Sequence, residues 1–302
     1  MTAQTPVAPV PVAPTVAGRR VARVRFRRRR FLRRVGINLL GLVVFVLMVF
    51  PVYWMVSTAF KPAQDILTFT PKWFPSPATL DNFRDAIGRD YFWDGVRNSL
   101  IVVSAVTALS VLLAFLAALA IAKFRFYGRK AFIVLVIGVQ MVPLNALIIP
   151  LYILLSRAGQ VDKLTGVIVT YLTFVLPFCV WTLRGFMLAV PRELEEASMV
   201  DGTTRFGAFV RILLPLVAPG LVATSIFAFI QVWNEFILAY VLLSTPEKQT
   251  LTVWLAGFTG LRGTDWGPLM AGATLTAIPV VVFFVLVHRR IAFGLTSGAV
   301  RG

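Results

Sequence analysis

Six charge-poor segments divide the chain into long apolar stretches and shorter polar connections. They lie at about 35–58, 99–122, 131–155, 165–187, 217–243 and 268–287. Each is close to the roughly 20 residues that an α-helix needs to cross a hydrocarbon core of about 30 Å. Because a lipid interior offers no hydrogen-bonding partners, backbone groups must pair within each segment. The pattern therefore predicts an all-α integral membrane protein with six transmembrane helices.

The composition supports this class and excludes two kinds of site. Of the 302 residues, 58% are apolar and 14% are charged, and the mean hydropathy is +0.82. A soluble domain usually has roughly 25% charged residues. The single cysteine, Cys179, allows no intrachain disulfide. Cys179 and His288 also do not provide the ligand cluster that a metal site needs.

The charge distribution predicts which side of the membrane holds the termini. Residues 1–34 are expected to form a disordered tail, rich in Pro and Ala and then in Arg, with ten arginines from Arg19 to Arg34. If this tail is cytoplasmic, 21 of the 30 Lys and Arg residues lie inside. Basic residues concentrate on the cytoplasmic side, so both termini are expected there. The arginines are expected to bind anionic lipids, and nucleic-acid binding is disfavoured because no aromatic stacking platform accompanies them.

The polar connection at 188–216 is predicted to contain two short helices. Pro191 suits the first turn of a helix, where its missing N–H is not needed. Gly202 is expected to end that helix in the left-handed conformation, and Thr203 is expected to cap the next one. We interpret this loop as a docking element for a cytoplasmic partner. An ordinary amphipathic helix at the membrane interface is the alternative.

The spacing of this loop resembles a family signature. Binding-protein-dependent ABC importers carry E-A-A, three residues, G, nine residues, I, one residue, and L-P in a cytoplasmic loop of the membrane subunit. The corresponding residues here are Glu196, Ala197, Ser198, Gly202, Ile212, Leu214 and Pro215, with Ser198 in place of the second alanine. The runs WNEF (233–236), DWGPLMAG (265–272) and GLTSGAVRG (294–302) also look like the maltose-type branch of sugar permeases. The resemblance covers about residues 35–302.

This resemblance implies a fold, a role and a set of partners. The fold is the type I ABC importer permease domain, and the chain would be the smaller six-span subunit. Its partners would be a second permease subunit, an ABC ATPase dimer and an extracytoplasmic solute-binding protein, which together import a sugar. The loop would be the coupling helix that sits in a cleft of the ATPase. The expected coupling residues are Glu195, Glu196, Ala197, Ser198, Asp201, Gly202, Ile212, Leu214 and Pro215.

The sequence lacks the residues that would make it an enzyme. No G-x-x-x-x-G-K-[ST] run is present to bind nucleotide phosphates. With one histidine and one cysteine, no Ser/His/Asp or Cys/His arrangement is plausible. We therefore expect this chain to bind no cofactor, and we expect ATP and Mg²⁺ to bind the partner ATPase.

Glu235 is the one ionisable residue well inside an expected span, about 27 Å along a continuous fifth helix. An acidic side chain there faces either water or a polar neighbour, so it either lines an outer vestibule or hydrogen-bonds another helix. Polar packing between helices is likewise the alternative for the other amides considered. The residues considered for a substrate pathway are Gln140, Asn145, Gln231, Asn234 and Glu235.

Three other functions remain open at this point. The chain could belong to an importer for a non-sugar solute. It could be an ion-coupled secondary transporter, although that class needs carboxylates near the midplane and paired broken helices. It could also be a membrane-anchored structural or signalling protein, which would have no need of the docking loop.

Overall fold

The computed structural model describes residues 16–261 and 263–296, with side chains for residues 34–261 and 263–287. The described residues form helices, the connections between them, and one hairpin of two short strands, Thr259–Gly260 paired with Gly263–Thr264. The helices are α1 (Val16–Ala59), α2 (Asp81–Gly88), α3 (Phe92–Lys123), α4 (Arg129–Met141), α5 (Leu144–Arg157), α6 (Leu164–Leu188), α7 (Arg192–Val200), α8 (Arg205–Ala208), α9 (Leu214–Trp233), α10 (Ile237–Leu242), α11 (Leu251–Ala256) and α12 (Trp266–Thr296).

Residues up to Trp54 form a unit of their own, of which the described part is helical from Val16. The arginines from Arg19 to Arg34 lie on this helix, whereas the sequence predicted a disordered tail over them. No proline interrupts the chain between Pro14 and Pro51, and arginine is a good helix former. Residues 1–15 of the expected tail lie outside the described residues.

The second unit is organised around α3. Four small side chains spaced four residues apart, Ser110, Ala114, Ala118 and Ala122, form a buried stripe along this helix. Small residues at such spacing let neighbouring backbones approach closely, which is how helices pack in a membrane. Two other long helices, α6 and α9, lie against α3 and against each other. Together the three helices form the core of this unit.

The expected third span, 131–155, is not one helix. In its place α4 and α5 meet at an angle of 101° around Val142 and Pro143. Proline has no N–H to continue the helix, and it forces the residue before it into an extended conformation. Val142 is extended accordingly. The proline therefore breaks the segment instead of only loosening it.

The expected fifth span, 217–243, is also interrupted. Its helix α9 ends at Trp233, and α10 begins at Ile237. Glu235 lies in the break, so its expected position on a continuous helix is wrong. The described residues contain five helices that are long and apolar enough to cross a membrane, or six spans if α4 and α5 count as one.

A carboxylate connects the α5–α6 turn to the segment after α10. Asp162 has a left-handed backbone, with φ of +58°. Its carboxylate accepts the N–H groups of Ser244 and Thr245 at 3.0 Å, the Thr245 hydroxyl at 2.6 Å and the Lys248 ammonium at 2.7 Å. Burial would raise the pKa of the Asp162 carboxyl. The hydrogen bonds from Lys248, Thr245 and Ser244 outweigh burial and hold that pKa below its ordinary value.

The same segment is held from its other side by α3. The Asn98 amide donates to the carbonyl oxygens of Glu247 and Gln249 at 2.9 and 3.0 Å. The neighbouring Ser99 hydroxyl accepts the Leu251 N–H at 2.8 Å. Backbone groups of the turn before α11 therefore bind side chains of α3.

Replacing Asp162 with Asn is expected to lower the thermal unfolding midpoint of the purified protein. The midpoint should fall by about 2–4 °C at neutral pH, the shift that a loss of about 1 kcal/mol produces in a domain of 150–250 residues. The native pKa of Asp162 is lowered, so its stabilisation is complete above the unfolded pKa of about 3.9 and declines below it. The difference between wild type and Asp162→Asn should therefore be constant above about pH 5 and shrink toward pH 3. The exposed Asp85→Asn is the control, and an equal effect there would contradict this role.

Candidate functional site

The loop between α6 and α9 folds as a helix, a glycine turn and a second helix. Gly202 has φ of +91°, the left-handed conformation that glycine adopts at low cost. The Gly202 N–H donates to the Met199 carbonyl and the Thr203 N–H donates to the Ser198 carbonyl, both at 3.1 Å. This pair of bonds is the Schellman motif that closes the carboxyl end of a helix. The turn is therefore a fixed corner.

Thr203 has a different role from the one expected of it. Its hydroxyl donates to the Ser198 carbonyl at 2.6 Å, which leaves the Ser198 hydroxyl to donate to Thr203 across the turn. The cap of α8 is Thr204, whose hydroxyl accepts the Gly207 N–H at 3.1 Å. The expected cap was therefore wrong by one residue. The serine that departs from the family signature has a specific partner here.

A π-turn, Phe209–Leu213, joins α8 to α9. The Leu214 N–H reaches back five residues to the Phe209 carbonyl. Pro215 follows at the start of α9, where a regular helix would bring its ring against the Arg211 carbonyl four residues earlier. The wider π-turn accommodates the proline, so the loop continues into α9 without a gap.

The residues expected to couple to an ATPase differ in exposure. Ser198 is buried, and Glu195, Ile212 and Leu214 are half-buried. The exposed members are Glu196, Ala197, Asp201, Gly202 and Pro215. The corner of the loop and one side of α7 are therefore exposed at the protein surface.

A groove of about 570 Å³ separates α7 and α8 from the end of α3. Its lining is largely apolar and includes Leu119, Phe124 and Phe206. The Lys123 ammonium of α3 forms an ion pair with the Glu195 carboxylate of α7 at this groove. Sequence reasoning missed Lys123, because a lysine at the end of a long apolar segment is common at a membrane interface with or without an acidic partner.

Glu235 lies in the break between α9 and α10 and binds backbone groups. Its carboxylate accepts the N–H groups of Leu238 and Ala239 at 2.9 and 3.3 Å, and it also accepts the Tyr171 hydroxyl of α6. A carboxylate at a helix N-terminus satisfies free N–H groups and favours the helix dipole. This geometry favours the structural hydrogen bond over the vestibule. Tyr171 was not predicted, although a carboxylate in a span requires a polar partner.

A cavity of about 100 Å³ adjoins Glu235. Among the expected pathway residues, it brings together Gln231 and Glu235, with Leu144 of α5 opposite. The described residues that line it are Leu144, Tyr171, Phe174, Val175, Phe227, Gln231, Val232, Glu235 and Leu238. The cavity is therefore mostly apolar and aromatic, with one amide and one carboxylate.

The other expected pathway residues lie apart from this cavity. Asn234 is exposed, and its amide donates to the Ile230 carbonyl of its own helix at 2.9 Å. Gln140 and Asn145 are exposed on the two sides of the α4–α5 bend and are absent from the cavity lining. The structure therefore places two of the five residues, Gln231 and Glu235, at this cavity and the other three outside its lining.

Comparison with known proteins decides the family. The family described as binding-protein-dependent transport system inner membrane component matches residues 110–296, which include the loop and the Glu235 break. The chain belongs to this family. It is 46% identical over 253 residues to the diacetylchitobiose uptake system permease protein DasC of Streptomyces coelicolor, covering 84% of this chain and 92% of that one. The trehalose transport system permease protein SugB of Mycobacterium tuberculosis is 37% identical over 254 residues, covering 83% and 92%.

The fold is also that of solved permeases. A bacterial ABC transporter involved in the import of the acidic polysaccharide alginate superposes with a TM-score of 0.73 at 20% identity, over 87% of this chain and 97% of that one. The all-α fold with a type I importer permease domain, predicted from the sequence, is thereby confirmed. The chain is a multi-pass inner-membrane protein of the binding-protein-dependent family.

Replacing Glu235 with Ala is expected to destabilise this permease. The change leaves the buried N–H groups of Leu238 and Ala239 and the Tyr171 hydroxyl without an acceptor, and each such group costs about 1–3 kcal/mol. A thermal unfolding midpoint lowered by several degrees, measured on purified protein in detergent, is the expected result. The neighbouring Asn234→Ala is the control because its amide bonds only its own helix. Equal stability of the two variants would contradict the capping role.

Proposed function

We propose that the chain is the membrane-spanning permease subunit of an ATP-driven ABC importer that carries a sugar across a bacterial plasma membrane. The observation that carries the proposal is the 46% identity to a diacetylchitobiose uptake permease over 84% of the chain, including the coupling loop. The substrate class is a mono- or oligosaccharide or a polyol derivative. A trehalose permease and a trehalose/maltose permease are also among the relatives.

The cavity beside Glu235 supports this substrate class. Its aromatic walls and the Gln231 amide suit a sugar, which offers apolar ring faces and neutral hydroxyl groups. We assign Gln231 to the substrate pathway together with the exposed Gln140, Asn145 and Asn234, and we assign Glu235 to the wall that positions it. The bend between α4 and α5 places Gln140 and Asn145 on exposed surfaces that a passing solute can contact.

The proposed complex contains four kinds of subunit. This chain pairs with a second permease, two ATPase subunits bind ATP and Mg²⁺ and hydrolyse the nucleotide, and a solute-binding protein delivers the sugar. A solved alginate ABC transporter in complex with a sugar-bound periplasmic protein supports the last of these, with a TM-score of 0.63. The exposed corner of the loop, formed by Glu196, Ala197, Asp201 and Gly202, is the proposed docking surface for the ATPase.

The same proposal fixes the orientation of the chain. Residues 35–302 form the permease domain, and its coupling loop 188–216 and both termini lie in the cytoplasm. The 21 basic residues assigned to that side support this orientation. The arginines from Arg19 to Arg34 then lie beside the inner leaflet, where anionic lipid headgroups attract them.

Transport by the whole complex tests the substrate. The complex is purified through a tag on this chain, reconstituted in vesicles with its solute-binding protein, and supplied with labelled diacetylchitobiose, trehalose or maltose. We expect an ATPase to copurify and ATP-dependent uptake of at least one of these sugars. Uptake that a protonophore abolishes while ATP remains would contradict the proposal and favour a secondary transporter. Failure to copurify with an ATPase would contradict it as well.

The Gly202→Asp variant tests the docking surface. Nothing lies within 4 Å of a Cβ at Gly202, but φ of +91° disfavours any side chain, and aspartate adds charge to the exposed corner. We expect the variant to insert normally while sugar uptake per ATP hydrolysed falls at least about tenfold, within the range by which two coupled sites affect each other. Gly128→Asp is the matched control, because Gly128 has φ of +86° and equal space but lies in the α3–α4 connection. Equal coupling in the two variants would argue against docking at Gly202.

A further inference from the structure

Glu195 and Glu196 are adjacent acidic residues of the coupling loop, and the structure gives them different surroundings. Glu196 is exposed on the surface of α7. The Glu195 side chain is 23% exposed and is paired with Lys123, whose side chain is 11% exposed. The Glu195 carboxylate is therefore paired with the last residue of α3, while Glu196 lies at the exposed edge of the same groove.

The helices that this pair joins line opposite sides of the same groove. The groove of about 570 Å³ runs between α7 and the end of α3, with Leu119 and Phe124 on one side and Met199 on the other. Within the described contacts, α7 packs mainly on α8 and on the π-turn Phe209–Leu213. Phe209 of that turn contacts Phe115 of α3, with ring centres 5.9 Å apart. The Lys123–Glu195 ion pair connects α7 itself to α3.

The helix at the other end of the pair is the one around which the second unit packs. Both α6 and α9 lie along α3. The stripe of small residues on α3, from Ser110 to Ala122, is buried. A displacement of Lys123 along α3 therefore reaches the centre of the bundle. Because interiors packed at this density do not deform continuously, such a displacement moves helices as bodies.

We propose that Lys123 is a positioning residue for transport, and that its ion pair with Glu195 transmits movement of the coupling helix α7 to α3. The inference rests on the proposed function, since it requires an ATPase that moves α7. The pair bridges an open groove, so without it α7 can shift toward or away from α3 while the spans stay in place. The Lys123 and Glu195 side chains are only 11% and 23% exposed, so the loss of one partner is expected to cost more than at an exposed ion pair.

Charge reversal separates this role from a purely structural one. Lys123→Glu, Glu195→Lys and the double exchange are made in the full complex, and uptake of the sugar that the wild type transports is measured per ATP hydrolysed. We expect each single reversal to reduce this ratio at least about fivefold, the lower end for a coupling free energy between two sites. The double exchange restores the attraction, because the positive and negative charges then occupy each other's positions. It should recover most of the uptake per ATP hydrolysed. The exposed Arg125→Glu is the control, because it reverses a charge two residues from Lys123 in the α3–α4 connection.

A second set of variants, at Lys123, tests the role of the pair in case a charge reversal prevents folding. Lys123→Arg keeps the charge and should retain the ratio, whereas Lys123→Met keeps most of the side-chain length and should lose it. Wild-type coupling in Lys123→Met or in both single reversals, or a double exchange as uncoupled as the singles, would overturn the inference. If Gly202→Asp still uncouples the complex in that case, the docking proposal stands and only the role of this pair is refuted. A wild type that binds no ATPase would instead refute the proposed function itself.

Discussion

A backbone inside a membrane must find its hydrogen-bonding partners within the protein, and the break between α9 and α10 exists because one side chain supplies them. The Glu235 carboxylate accepts two N–H groups at the start of α10, and the Glu235 carbonyl accepts the Thr252 hydroxyl at 2.9 Å. Without these partners, the interruption between Trp233 and Ile237 would leave several polar groups without compensation, at a cost of a few kcal/mol. The Glu235 carboxylate therefore has a structural role as the acceptor of these backbone N–H groups.

The break in the expected fifth span separates two helices that both contact α6. The shorter helix, α10, is bound to Tyr171 of α6 through Glu235, and the segment after it is bound to Asp162, just before α6. The longer helix, α9, packs against α3 and α6 and continues without a gap into the π-turn and the coupling loop. Both sides of the break are therefore held by α6, and α9 is the side that leads to the proposed ATPase contact.

The sequence was sufficient for the features that depend on local chemistry. The length of the charge-poor segments predicted a membrane fold. Gly202 predicted a left-handed turn, because glycine adopts that conformation at low cost. Features that depend on a distant partner were not predictable in the same way. Thr203 and Thr204 are equally good caps by type, and only the packing of Ser198 against Thr203 decides between them. Likewise, the sequence shows Glu235 as an isolated charge, because its partner Tyr171 lies 64 positions away.

The stiffness of the coupling loop has the same origin as the break in α9, namely polar groups paired over short distances. A helix that docks on a motor transmits displacement only if each of its connections resists extension. The Schellman turn fixes the corner between α7 and α8, the Ser198–Thr203 hydroxyl pair closes across that corner, and the π-turn passes directly into α9. Each of these connections acts along the chain, toward the fifth span. The Lys123–Glu195 pair acts sideways, toward α3, so the loop is tied to two helices of the bundle instead of one. A displacement applied at Gly202 then moves α3 and α9 together, which a loop attached only through its two chain ends would not require.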